Sequence, residues 1–174
     1  FDLASSVLVG GKNSPLYKEL VYEQQIATSV SSFYYDREIA GMFFLVADVV
    51  AGVDPAKVEA AMDDVMTNFI KRGPNPKLLK AEKTKLLAGF IRGIQRIGGF
   101  GGKSDLLATC QTYTGNPGCF QENAAFMDAV TPSKMKATFA KWIDDTPYVL
   151  TILPTDKYEV AQTDLDRSLS LIHI

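Results

Sequence analysis

Apolar residues recur along the first stretch of the chain at Phe1, Leu3, Ala4, Val7 and Leu8, the three-and-four spacing of one helical face. Gly10-Gly11-Lys12-Asn13 interrupts that face. Ser14-Pro15 then reads as an N-cap followed by proline at the first helical position. Leu16, Tyr17, Leu20 and Val21 supply the buried side of a short second helix ending near Gln24. From Ile26 to Asp36 the period changes to two, with Ile26, Thr28, Val30, Ser32 and Tyr34 on one side of a strand. Gly41 to Val50 is nearly continuous in apolar residues, as in a strand covered on both faces. Arg37 to Ala40 is short enough to join the two as an antiparallel hairpin.

Helical spacing returns after Asp54-Pro55, where Val58, Ala61, Met62, Val65, Met66 and Phe69 mark an amphipathic helix to about Arg72. Gly73-Pro74 stops it. Asn75-Pro76 opens a long helix with Leu79, Leu86, Leu87, Phe90, Ile91, Ile94 and Ile97 on its apolar side, ending at Gly98-Gly99. Ser104 to Tyr113 reads as a further helix, Gly115 to Gly118 as a turn, and Phe120 to Ala129 as a short helix. Thr131-Pro132 caps a last helix whose stripe is Met135, Phe139 and Trp142. Tyr148 to Leu153, between Pro147 and Pro154, reads as a closing strand. The class is therefore α+β, an antiparallel or mixed sheet with helices packed on one face. Three strands are few for so many helices, so a strand is expected before Phe1. On that reading residues 1–154 are a domain lacking its N-terminal part, and 155–174 are a linker or tail. The faces of Phe1–Leu8 and of strand 41–50 would then lack cover, which favours self-association.

Composition narrows the chemistry. In 174 residues, 18 Lys+Arg stand against 20 Asp+Glu, a net charge of −2, which disfavours a nucleic-acid binder relying on phosphate neutralisation. No apolar run approaches the roughly 18 residues of a membrane span. One histidine, His173, lies in the tail, and there are two cysteines. Nitrogen and sulfur donors are too few for an ordinary zinc site. Cys110 and Cys119 either close a small loop as a disulfide or remain two half-buried thiols. The thiols are the expectation, since a free cysteine packs as a small hydrophobe.

Gly98-Gly99-Phe100-Gly101-Gly102-Lys103-Ser104 has the look of a phosphate loop but fails its spacing. Counting back from Gly102, the glycine that the pattern needs falls on Ile97. A dinucleotide fingerprint would need glycine where Ser104 stands. A flexible joint between helices is the expected role. The adjacent Asp63-Asp64 diverge around a helix and cannot share a proton, and Asp144-Asp145 read as a solvated loop.

Two stretches, LVGGKNSPLYKELVYEQQIATSV at 8–30 and RIGGFGGKSDLLATCQTYTGNPGCF at 96–120, resemble the insulinase/pitrilysin zinc peptidases, the inverzincins. Val130-Thr131-Pro132 and the 148–154 segment extend the resemblance over most of residues 3–166. It implies a metalloendopeptidase-like α+β domain from a protein built of repeated domains, arranged as two bowl-shaped halves around the substrate. The family's zinc is held by HxxEH and a distal Glu in a different domain, and HxxEH does not occur here. The family's substrate-gripping Arg and Tyr, seven positions apart, map to Val21 and Thr28.

The resemblance implies the second, non-zinc-binding domain of a half. It would lack catalytic and metal residues and would wall a peptide-binding chamber beside an HxxEH zinc domain, on the same or a partner chain. Zinc and peptide substrate belong to that assembly, and a bacterial periplasm is the compartment implied. Gly10, Gly11, Lys12 and Ser14, where a processing-peptidase relative carries a longer glycine-rich loop, are the expected substrate-chamber contacts. The alternative is a purely structural or assembly member of the family, comparable with respiratory-complex core subunits that have lost their zinc site.

Overall fold

A computed structural model of the chain describes residues 1–143 and 147–154. The elements run α1 (Asp2–Val9), α2 (Pro15–Tyr17), a π-helical turn (Lys18–Glu23), β1 (Ala27–Asp36), β2 (Gly41–Val49), α3 (Pro55–Arg72), α4 (Pro76–Gly93), α5 (Lys103–Thr114), α6 (Cys119–Asp128) and α7 (Pro132–Trp142). Among the described residues the sheet is the antiparallel pair β1–β2, and the α+β class holds.

Local chemistry sets most of these boundaries. Asp54 accepts from the Ala56 amide (3.0 Å), Asn75 from the Lys77 amide (2.9 Å) and Thr131 from the Lys134 amide (3.2 Å). Each cap is followed by proline, whose missing N–H costs nothing in a first turn. Gly73 (φ 77°) turns α3 into α4, and a Cβ there would lie 3.3 Å from Lys136 Cβ, so both backbone and packing select glycine.

One face of the sheet is covered. Leu3, Ala4, Val7 and Leu8 of α1 are buried with Val58, Ala61 and Phe69 of α3 and Met135 and Phe139 of α7. Val30, Phe43, Leu45, Ala47 and Val49 pack on that cluster from the strands. At its centre Phe139 is 1% exposed, and its ring lies 5.2 Å from Phe1, 5.5 Å from Phe43 and 5.0 Å from Phe69. The Phe43 and Phe69 contacts are edge-on, the arrangement aromatic quadrupoles prefer.

Several expectations change. The β2 strand is covered on one face only, because among the described residues nothing packs on its outer side. There Phe33 and Phe44 stack at 4.6 Å, with Tyr35, Met42 and Val46 exposed. By contrast α1, expected to lack cover, has its apolar face buried. A bulge between Ala27 and Ser29 rotates the start of β1, so Ala27 points inward and Thr28 outward. The second helix is not a plain α-helix. It winds into a π-turn after Tyr17, which leaves Leu16 and Leu20 buried but Tyr17 and Val21 half-buried.

Ser14 does not cap that helix through its side chain; its hydroxyl donates to the Gly11 carbonyl (2.5 Å). The long helix α4 stops at Gly93, so Ile97 lies beyond it in solvent, while Ile91, within the helix, is exposed on its outer side. Trp142 is 65% exposed, its ring beside Lys141 Nζ (4.6 Å), since α7 meets the core only through Met135 and Phe139.

Tyr148 to Leu153 is not a strand. It runs exposed, without a ladder partner among the described residues, and extended backbone is a strand only when an edge pairs with it. Cys110 and Cys119 are joined as a disulfide (Cα–Cα 5.5 Å) rather than free. The Gly115–Gly118 turn brings the facing ends of α5 and α6 within bridging reach, and closing so short a loop is worth about 2.5 kcal/mol in the chain-entropy account. His173, Asp144, Asp145 and the 155–174 tail lie outside the described residues.

Phe139→Ala removes the ring shared by three aromatic partners, and should cost about 3–5 kcal/mol of unfolding free energy in urea titrations. Trp142→Ala, with its ring in water, should cost less than about 1 kcal/mol.

Candidate functional site

Residues 10–14 form a short loop between α1 and α2. Gly10 ends α1, its amide donating to the Ser6 carbonyl (2.7 Å). A Cβ on Gly10 would collide with the Ser6 carbonyl oxygen and sit 3.1 Å from Glu82 Oε2. Glu82 on α4 is 4% exposed, and its other oxygen accepts from Lys85 Nζ (2.5 Å). The buried carboxylate therefore lies under the loop from the α4 side. Gly11 and Lys12 are exposed. Ser14 is fully buried (0%), with both its amide and its hydroxyl spent on the Gly11 carbonyl. Of the four expected chamber contacts, then, Gly11 and Lys12 face solvent, Gly10 is an exposed backbone joint, and Ser14 holds the loop from within.

Beside the loop lies a cleft of about 680 Å³, lined by Val7 of α1, Asn13 and Pro15, Lys18 and Glu19, the second half of α3, and the first turns of α4. Its floor is apolar and its rim carries Lys18, Arg72 and Lys77. A smaller hollow of about 380 Å³ adjoins it, lined by Lys12, Asn13, Tyr17, Lys18 and Tyr22. Sequence spacing misses this groove, because its walls come from five separate elements. The glycine pair at 10–11 and the Gly73-Pro74 break are local signals near it, but neither marks a cleft.

The family's substrate-gripping positions are not assembled in this groove. Val21, in the π-turn, packs on the core. Thr28, on the bulge, donates its hydroxyl to the Asp48 carbonyl (3.1 Å). In the second glycine cluster Gly99 (φ 82°) and Gly101 (φ 70°) take left-handed backbone. The Gly101 amide is filled by the chain's own Asp105 carboxylate (2.8 Å), so the joint offers negative charge where a phosphate loop offers bare amides. Asp63 and Asp64 are exposed on α3. Asp2 is a carboxyl held above its usual range, first by desolvation and then by the Asp36 carboxylate, against the lowering effect of the Phe1 ammonium; it does not line the groove.

The donor set does not fit a zinc ion. Among the described residues no group of three or more His, Cys, Asp or Glu converges on a metal position, and both cysteine sulfurs are in the disulfide. No helix of the described residues is long and apolar enough to cross a membrane.

Comparison with known proteins gives the class. The family described as Peptidase M16 inactive domain matches residues 1–86, from α1 into α4. In fold the chain is similar to a protease from Helicobacter pylori (TM-score 0.71, 17% identity, 83% of this chain and 34% of that one). It is similar also to a peptidase M16 inactive domain from Pseudomonas fluorescens (TM-score 0.65, 18% identity, 82% and 33%). A third likeness is to the inactive peptidase domain of a candidate zinc protease from Bordetella parapertussis (TM-score 0.69, 16% identity, 88% and 82%). The chain spans about a third of the Helicobacter and Pseudomonas chains. No curated protein matches it.

In sequence over residues 1–86, and in fold over most of its length, this chain resembles the inactive domain of the insulinase/pitrilysin zinc peptidases.

Gly10→Ala should destabilise the domain by about 1–3 kcal/mol, since Ser6 and Glu82 leave no room for the methyl. Gly11→Ala, with open space around it, should stay within about 0.5 kcal/mol in the same urea titration.

Proposed function

We propose that this chain is the non-catalytic domain of a zinc metalloendopeptidase, one that walls the peptide-binding chamber beside a separate HxxEH domain. The observation that supports the reading is the inactive-domain match over residues 1–86; among the described residues no group of three or more His, Cys, Asp or Glu converges on a metal position. Residues 1–154 are the domain and 155–174 a linker or tail. Zinc and hydrolysis then belong to the partner, on the same polypeptide or another. This chain's contribution is shape: an α-helical shell with the 10–14 loop and its groove on one side. The Cys110–Cys119 bridge fits an oxidising compartment such as the bacterial periplasm. The exposed outer face of β1–β2, with Phe33, Tyr35, Met42 and Val46 in water, is the natural docking surface for another domain or another copy.

The second reading, a structural or assembly subunit without peptidase activity, is favoured by the loss of the gripping Arg and Tyr at Val21 and Thr28.

One reconstitution decides between them. Mixed with an HxxEH-bearing domain of the same family, this chain should co-elute in gel filtration and restore cleavage of a quenched fluorescent peptide, abolished by 1,10-phenanthroline. A stable complex with no hydrolysis would establish the structural reading. One tightly held zinc per chain of this polypeptide alone, by elemental analysis after dialysis, would defeat both.

A further inference from the structure

The two hollows beside the 10–14 loop adjoin, sharing Asn13 and Lys18 in their walls. Their charge departs from that of the molecule. The whole chain has 18 cationic side chains against 20 acidic ones. The groove wall carries Lys12, Lys18, Arg72 and Lys77 against Glu19 alone. That single carboxylate is engaged, accepting from Gln24 Nε2 (2.8 Å). Lys18 reaches Glu23 at 3.5 Å, but both side chains are at least half exposed, and such a pair exchanges readily for another carboxylate. Among the described residues Arg72 and Lys77 have no carboxylate within ion-pair distance.

Below this rim the floor is apolar, with Val7, Val65, Phe69 and Leu78, and its volume of about 680 Å³ lies in the range that holds a ligand segment. An extended peptide presents alternate side chains to opposite sides. One that alternates apolar and acidic residues sets its apolar side chains on the floor and its carboxylates at the rim. We propose that this groove is a docking site for an acidic, apolar-bearing peptide segment. The proposal rests on the chamber-wall reading and specifies the charge of the peptide that the wall takes. Cationic peptides would meet four like charges and be turned away.

The test is fluorescence anisotropy with the full chain and two fluorescein-labelled, C-terminally amidated hexapeptides, one alternating Leu and Glu, the other Leu and Lys. The Leu/Glu peptide should bind at least about tenfold more tightly, and more weakly as salt rises. The double variant Arg72→Glu/Lys77→Glu should weaken it about tenfold and reverse the preference. Arg72→Gln/Lys77→Gln, a gentler change, should weaken it severalfold with an unchanged circular dichroism spectrum. Lys141→Glu, outside the groove, should leave it unaltered. A Leu/Glu peptide with a free C-terminus separates the two sources of negative charge. Equal binding of the free and amidated forms assigns recognition to side chains, and a gain of about tenfold for the free acid assigns it to the terminal carboxylate; each supports the site.

No binding of the Leu/Glu peptide, equal binding of the Leu/Lys peptide, or indifference to both double variants overturns the proposal. So does a concentration-dependent dimer in sedimentation velocity that the charge reversal dissolves, since the occupant is then a second copy. The two readings fail separately. Acidic-peptide binding without hydrolysis in the reconstituted complex leaves the groove standing and removes the peptidase role, and hydrolysis without such binding does the opposite.

Discussion

The ring of Phe139 is where the fold closes. A two-stranded sheet has too little area to bury a core on its own. Here the missing area comes from helices, and Phe139 on α7 meets β2 through Phe43, α3 through Phe69, and the start of the chain through Phe1. Those contacts fix the angle at which α3 and α7 lie across the strands. That placement in turn sets where α3 ends, and hence where the Gly73 turn hands the chain to α4. The groove beside the 10–14 loop exists because that turn brings the last residues of α3 against the start of α2. Core packing and candidate site thus meet at the same end of α3, where Phe69 serves both.

Much of this is legible in the residues. Cap-and-proline pairs at Asp54, Asn75 and Thr131 mark three helix starts, because capping is a local event that needs no partner from elsewhere in the chain. The hairpin is equally plain, since its loop is short and its strands adjoin. The features that escape the residues depend on tertiary context. The bulge that turns Thr28 outward, the π-winding after Tyr17 and the early end of α4 each alter a period by a residue or a few, and hydrophobic spacing averages over such steps. Hydrophobicity alone places Trp142 and the 148–153 segment in the interior, yet it says what a residue would gain from cover, not whether cover is there.

The candidate site is legible only in outline. Resemblance leads to the Gly10–Ser14 loop, but the loop's own polar groups are largely consumed in holding its shape, with Ser14 bound to Gly11 and Glu82 beneath Gly10. The charged rim of the groove cannot be read from the chain, because Lys12 and Lys18 are far in sequence from Arg72 and Lys77 and each is ordinary by itself. Their meaning is positional. A chain with a slight acidic excess that gathers its cations along one apolar cleft has separated charge without changing its total.

The covalent link between α5 and α6 carries one more implication. The Gly115–Gly118 turn is an exposed tip of small residues, the kind of sequence that proteases nick first. Cys110 and Cys119 bracket that tip, and Cys110 is 3% exposed, so its sulfur is shielded from passing reductants. A cut anywhere between them would leave both halves fastened together, with α6 and α7 still held in place. Such a clasp turns an otherwise disabling scission into damage the molecule survives.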